Sequence, residues 1–306
     1  MANVAVVFPG QGSQYVGMGQ AFCQASAEAA KIMTQAEEAS GLPIKKLCFE
    51  GPMDELTLTV NLQPSVVAVD LICWQALLKK GLEVKAVAGH SLGEYPALVA
   101  AGALDNAKCI ELAALRGKLM NRDAEANPGA MAAIMGLSPE QVAEITEDID
   151  GVVQPANYNS PAQTVITGLR EAVKQASDLA KEKGGKAIPL KVSGAWHSPL
   201  MADAKKDMEQ AIEQVSFTDP ARLLAPNTTG APTDQADEIK AQLKEQLTSP
   251  VRWVQTVNAL MDQGIDTFIE AGPKTVLTGL IKKTTKQVRV LNFDTPETLE
   301  KVLEAL

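Results

Sequence analysis

Short β-rich runs alternating with longer helical patterns predict an α/β fold: a large domain on a mostly parallel sheet, with a small β-α-β-β-α-β domain inserted in it. Two further observations carry this expectation. A glycine-flanked serine, Gly89-His90-Ser91-Leu92-Gly93, stands where an apolar strand gives way to a helical pattern. Between residues 127 and 191 the rhythm changes to strand, helix, two strands, helix, strand, the order of a ferredoxin-like unit.

Taken in chain order, Asn3–Phe8 reads as a buried strand, followed by a glycine loop and helical segments to about Ser40. Gln63–Lys80 has broad helical periodicity, and Val84–Ala88 is a short apolar strand. Helices follow at Leu92–Ala101 and Asn106–Asp123, the second capped by Asp105. Within the insertion, Ala130–Met135 is a strand and Pro139–Asp148 a helix. Val152–Ala156 and Thr164–Thr167 form a hairpin around Asn159-Ser160-Pro161; Arg170–Lys183 is a helix ended by Gly184-Gly185, and Lys186–Leu190 a final strand. Strands at Arg222–Ala225, Thr267–Glu270 and Val288–Asn292 complete the sheet. Helices are expected at Met201–Gln214, Ala236–Leu247, Trp253–Asp262, Thr275–Lys286 and Pro296–Ala305. Residues 1–126 and 192–306 are thus assigned to the large α/β domain and 127–191 to the small one.

Composition narrows the function. With 306 residues and 46% apolar content the chain can bury a core. A net charge of −9 lacks the basic face of a duplex-binding protein, and 4% aromatics leave little for stacking on single strands, so no nucleic acid is expected. Two histidines and four cysteines without a CxxC pair make a metal site unexpected. Four cysteines in a chain of this size need no disulfide, which fits a reducing compartment. The N-terminus shows no basic n-region or cleavage site, and the longest apolar stretch, Val66–Leu78, is too short to span a bilayer. A cytoplasmic protein with no membrane partner is expected.

The chemistry centres on Ser91. In a strand–turn–helix context GxSxG is a nucleophile elbow, whose glycines make room for a sharp turn and whose serine faces the helix N-terminus. A serine hydroxyl needs a base, and the composition offers two. His90 neighbours Ser91, where side chains at a strand end point to opposite sides, so it packs behind the elbow. His197, in a loop directly after the small domain, remains as the base. Arg116 projects from the middle of an apolar helical stripe made by Cys109, Leu112, Ala113, Leu119 and Met120. Such an arginine needs an anion, either an internal carboxylate or a substrate carboxylate gripped by the guanidinium. The loop Phe8-Pro9-Gly10-Gln11-Gly12 fits no phosphate-loop pattern; it is a plain βα turn or the source of a second oxyanion N–H.

Nine segments in order extend these residues into a family resemblance: FPGQGSQ at 8–14, LQPS at 62–65, GHSLGEY at 89–95, LRGKLM at 115–120, GAMAAI at 129–134, NYNSPAQ at 157–163, GAWHSPLM at 194–201, SPVRW at 249–253 and EAGPKTVLTGLI at 270–281. Over essentially its whole length the chain resembles the malonyl-CoA:acyl-carrier-protein transacylases, within the acyltransferase family of fatty-acid and polyketide synthesis. The resemblance implies that Ser91 is acylated, that His197 is its base, and that the N–H groups of Gln11 and Leu92 form the oxyanion hole. It implies that Arg116 binds the malonyl carboxylate, with Gln63, Met120 and Trp196 in the substrate pocket, and that the carbonyl of Arg252 orients the histidine. Trp196 replaces the Phe common in the family. In related polyketide enzymes a smaller residue there accompanies methylmalonyl, so the indole is expected to keep the pocket for malonyl. No bound cofactor is implied: malonyl-CoA is the substrate, and phosphopantetheine arrives on an acyl carrier protein of type II fatty-acid synthesis. A basic patch including Lys282, Lys283 and Lys286 is expected to meet the acidic carrier transiently, with Lys186 and Lys191 at the domain junction. A monomer is expected. An α/β-hydrolase-type esterase would need an HGGG-like motif, which is absent. A non-catalytic scaffold would have no use for Ser91, His197 and Arg116 together, whereas a polyketide-pathway acyltransferase shares the same chemistry.

Overall fold

A computed structural model describes residues 2–306. Its strands are β1 (Val4–Phe8), β2 (Ala86–Gly89), β3 (Gly129–Met135), β4 (Val153–Ser160), β5 (Gln163–Leu169), β6 (Lys186–Pro189), β7 (Leu223–Ala225), β8 (Thr267–Ala271) and β9 (Arg289–Phe293). They form a five-stranded sheet of order β7-β2-β1-β8-β9 and a four-stranded sheet of order β4-β5-β3-β6.

Every pairing in the larger sheet is parallel, so the expected parallel character holds throughout. The central strand shows why. All five residues of β1 are buried, with Val4, Val6 and Phe8 in the core on one face and Ala5 and Val7 in the core on the other. A strand covered on both faces reads as a continuous apolar run. From β1 the chain adds β2 and β7 to one side, then β8 and β9 to the other. The carboxyl ends of these strands form the edge where such sheets bind ligands.

The smaller sheet is antiparallel in all pairings and carries its helices, Pro139–Glu147 and Arg170–Glu182, on a core of its own around Ile134, Val142, Ile166 and Val173. Here the hairpin differs from expectation. β4 and β5 run through Asn159-Ser160 and turn at Pro161-Ala162. Proline suits the second position of that turn. β4 is an edge strand with register shifts at Pro155/Asn157 and Tyr158/Ser160, a place where a residue without an N–H is tolerated. At its free edge, Tyr158 N–H donates to Val251 O (2.8 Å) and Val251 N–H to Ala156 O (2.8 Å), tying the small sheet to the segment before the helix Trp253–Asp262.

The helix expected from Gln63 starts earlier, at Thr59, and carries Pro64 inside it. Two short helices, Ile44–Phe49 and Met53–Thr57, are too brief for periodicity to reveal. Among the described residues no helix is long and apolar enough to cross a membrane.

Candidate active site

β2 ends at Gly89, a single 3-10 turn covers Ser91–Gly93, and the helix Glu94–Ala101 begins at once. Ser91 sits at φ 52°, the left-handed region that costs a side-chain-bearing residue of order 1–3 kcal/mol. The flanking glycines are dictated by contact. A Cβ on Gly89 would lie 1.9 Å from the Gly93 carbonyl, and one on Gly93 2.0 Å from Phe8 O. Asn227 holds the turn from outside: its Oδ1 accepts from Ser91 N–H (2.6 Å) and its Nδ2 donates to Gly89 O (2.6 Å).

Ser91 Oγ lies 2.8 Å from His197 Nε2. The other ring nitrogen, Nδ1, faces two carbonyl oxygens, Gln246 O at 2.9 Å and Ser249 O at 3.0 Å. Carbonyls only accept, so Nδ1 carries the proton and Nε2 presents its lone pair to the serine hydroxyl. Burial, and secondly the Arg116 charge, push the His197 imidazole down to about 3, against the two carbonyl bonds that pull it up. The imidazole is therefore neutral and basic at Nε2 at neutral pH. His90 points elsewhere, its Nε2 2.7 Å from Asn159 Oδ1 and its ring edge-on to Trp253.

Arg116 lies on the helix Asn106–Ala126, whose N-cap, Asp105, accepts from Lys108 N–H (2.8 Å). Arg116 is 1% exposed, and the hydrogen-bond partners of its guanidinium are neutral. Nη1 donates to Gln63 Oε1 (2.9 Å), and Nη2 to Gln246 Oε1 (3.1 Å) and Ser91 Oγ (3.1 Å). The internal carboxylate left open by the sequence is not in contact with it. A buried cation with no carboxylate in contact thus stands beside Ser91 Oγ, in a cavity of about 110 Å³ that Gln11, Leu92, Met120 and Trp196 also border.

With this geometry in view, the relatives are informative. Residues 5–300 match the family model described as an acyl transferase domain. The chain belongs to this acyl transferase family. The chain is 39% identical to the malonyl CoA-acyl carrier protein transacylase of Bacillus subtilis, covering 100% of this chain and 98% of that protein. It superimposes on the Coxiella burnetii malonyl CoA-acyl carrier protein transacylase with a TM-score of 0.95, at 36% identity, over 100% of this chain and 98% of that one. A malonyl-transacylase solved in complex with a type II PKS acyl-carrier protein gives 0.95 and 36%, covering 100% of both chains.

Two residue expectations for this acyltransferase are corrected. Arg252 opens the helix Trp253–Asp262, so its carbonyl accepts from Thr256 N–H (2.9 Å) along that helix; the carbonyls facing His197 belong to Gln246 and Ser249. Gln63 is fully buried behind Arg116, anchored by Nε2 on Met120 Sδ (3.1 Å), and orients the guanidinium without lining the cavity. Three contributors were not assigned a role from the sequence, although Ser249 opens the SPVRW segment. Gln246 and Asn227 are distant in sequence from every motif residue they hold, and Ser249 serves only through its backbone. Glu94 was visible within GHSLGEY, but its role depends on what reaches it: Asn227 N–H (3.1 Å) and Gln246 Nε2 (2.8 Å), both on Oε2.

Proposed function

We propose that this acyltransferase moves the malonyl group of malonyl-CoA to the phosphopantetheine thiol of an acyl carrier protein, in type II fatty-acid synthesis, through a malonyl ester on Ser91. One observation carries the reading. A nucleophile, its base and a buried cation meet at a single oxygen: Ser91 Oγ is 2.8 Å from His197 Nε2 and 3.1 Å from Arg116 Nη2. An esterase for neutral acyl groups has no need of the arginine, whereas a malonyl half-ester on Ser91 carries a carboxylate within its reach.

In the first half-reaction His197 Nε2 takes the Ser91 proton as Oγ attacks the thioester carbonyl. The oxyanion is placed toward the Gln11 and Leu92 N–H groups, each such donor contributing roughly 3 kcal/mol. The C–S bond then breaks and the CoA sulfur receives the proton from His197. The malonyl carboxylate pairs with Arg116, and Met120 and Trp196 confine the acyl group. In the second half-reaction the carrier's thiol gives its proton to His197, attacks the ester, and Ser91 recovers its hydroxyl. No bound cofactor is needed. Segments 1–126 and 192–306 are read as one catalytic body and 127–191 as a small domain that helps form the mouth. The enzyme is read as a cytoplasmic monomer that meets its carrier transiently through Lys282, Lys283 and Lys286.

The test is intact-protein mass spectrometry after mixing with malonyl-CoA, then with holo carrier protein. A malonyl adduct is expected on the wild type, discharged by the carrier, and none on Ser91→Ala. An adduct persisting on Ser91→Ala would overturn the assignment of the nucleophile.

A further inference from the structure

The charge of the anion pocket is not balanced where it sits. Arg116 is buried among amides and a hydroxyl, and the acid that its field reaches is one side chain further on. Gln246 is the link. Its Oε1 accepts from Arg116 Nη2 (3.1 Å), while its Nε2 donates to Glu94 Oε2 (2.8 Å) and to Ser91 O (3.1 Å). Glu94 is 1% exposed, and Oε2 also receives Asn227 N–H (3.1 Å). Oε1 has no partner at all. One oxygen is thus built to accept and the other is left bare, an arrangement that tolerates either an ion or a carboxylic acid with its proton on Oε1.

We propose that Glu94 is the counter-charge of the malonyl pocket, ionised while the pocket is empty and protonated when an acyl carboxylate settles on Arg116, so that malonyl loading takes up a proton from solvent. This rests on the functional reading above.

The electrostatics run in one direction. In the empty site the buried pair Arg116⁺ and Glu94⁻ sums to zero. A malonyl carboxylate makes the sum −1, and a net charge in a buried site is costly. It also cancels the attraction of Arg116 that favours the Glu94 anion. The charged group acting on Glu94 from a packed element is Arg116, on the helix Asn106–Ala126; Tyr95 follows it on its own helix, and Gln246 and Asn227 approach as neutral donors. His197 is one step off, through the Gln246 carbonyl. Burial first raises the Glu94 carboxyl from 4.5 to about 7, against Gln246, Asn227 and Arg116, so a modest further change crosses neutrality.

The experiment mixes the wild-type enzyme with malonyl-CoA at about pH 8 in weak buffer with a pH indicator, and counts adducts by mass spectrometry on the same sample. Ester formation from a thioester with release of a thiol is itself proton-neutral, so net uptake reports the linked group. Uptake approaching one proton per malonyl adduct is expected, against none per acetyl adduct formed from acetyl-CoA. The affinity for malonyl-CoA should weaken up to tenfold per pH unit above neutrality, and Glu94→Gln should abolish both uptake and slope. Malonyl adducts without uptake, equal uptake for acetyl, or uptake surviving in Glu94→Gln would overturn the proposal. The malonyl-against-acetyl comparison stands on the wild type even if the variant folds poorly. Absence of any malonyl adduct would instead overturn the functional reading and this one with it.

Discussion

His197 is positioned by three groups with different consequences. Ser91 Oγ lies against its Nε2, two carbonyls fix its tautomer, and Arg116 raises the cost of charging it. Its imidazole ionises at about 3 in the native state against 6.5 ordinarily. The unfolded chain therefore binds this proton first as pH falls, and stability is lost between 6.5 and about 3. For activity, the acid limb of kcat/KM should fall well below 6.5. Arg116→Gln, assayed with acetyl-CoA so that no carboxylate site is required, should move that limb upward while burial keeps it below 6.5. A limb that does not move would remove Arg116 as a cause of the depressed basicity. Trp196 is governed by its neighbours too: a Cβ on Gly194 would come within 2.6 Å of the indole, so the glycine two residues earlier leaves the ring its place against the pocket.

At the level of elements, the helix Thr59–Leu78 shows where local pattern misleads. It is buried on nearly every side, so its apolar run lacks the one-faced stripe that marks a surface helix. Asp70 is the exception inside it: fully buried, with neither carboxylate oxygen partnered, near Glu270, which caps the helix Val276–Thr284 through Leu277 N–H (2.8 Å) and Thr278 N–H (2.7 Å). Burial first, and the Glu270 charge second, hold the Asp70 carboxyl well above 3.8. The native state keeps a proton that the unfolded chain gives up, so stability falls as pH rises above 3.8. Asp70→Asn removes that linkage. Its Tm should exceed the wild type's by more at pH 8 than at pH 5, and a difference independent of pH would show that Asp70 does not titrate in this way.

Over the whole molecule, the site is assembled at a seam. Ser91 follows β2, Arg116 comes from the next long helix, and His197 comes from the segment after β6. The carbonyls orienting the histidine lie between helices Ala236–Glu245 and Trp253–Asp262. Gln154 of β4 crosses that seam, donating to His197 O (2.9 Å) and Thr248 O (3.3 Å). Gln154→Ala should loosen the histidine loop and lower the acylation rate about tenfold, equivalent to one hydrogen bond of about 1.4 kcal/mol, with KM for malonyl-CoA little changed. Equal effects on KM would argue instead for a distorted pocket. Lys282, Lys283 and Lys286 are exposed on and after the helix Val276–Thr284 of a chain whose net charge is −9. Charge reversal at Lys282 and Lys283 should weaken discharge to the acidic carrier, more so at low salt, and leave malonyl-CoA loading intact. Equal loss in both half-reactions, measured by rapid quench, would exclude docking there.

How much of this was legible in the chain follows from the range of the forces involved. The parallel sheet was readable because a strand buried on both faces must be apolar throughout, as in Val4–Phe8. The elbow was readable because a Cβ on Gly89 or Gly93 would meet backbone atoms at 1.9 or 2.0 Å, a local demand that leaves a local signature. Scarcity of histidines pointed to His197, which the fold brings to within 2.8 Å of Ser91 Oγ. What faces His197 was not readable: the carbonyls of Gln246 and Ser249 are backbone groups with no side-chain identity, and the expectation fell on Arg252 instead. The role of Gln63 was likewise open until Arg116 was seen to lie between it and Ser91. Sequence determined which chemical groups the enzyme owns and the elements that carry them. Only the tertiary structure decided which of them share a buried space, and there the low polarity makes partners set charge: it leaves Arg116 without a carboxylate, His197 neutral, and Glu94 one amide away from the cation it balances.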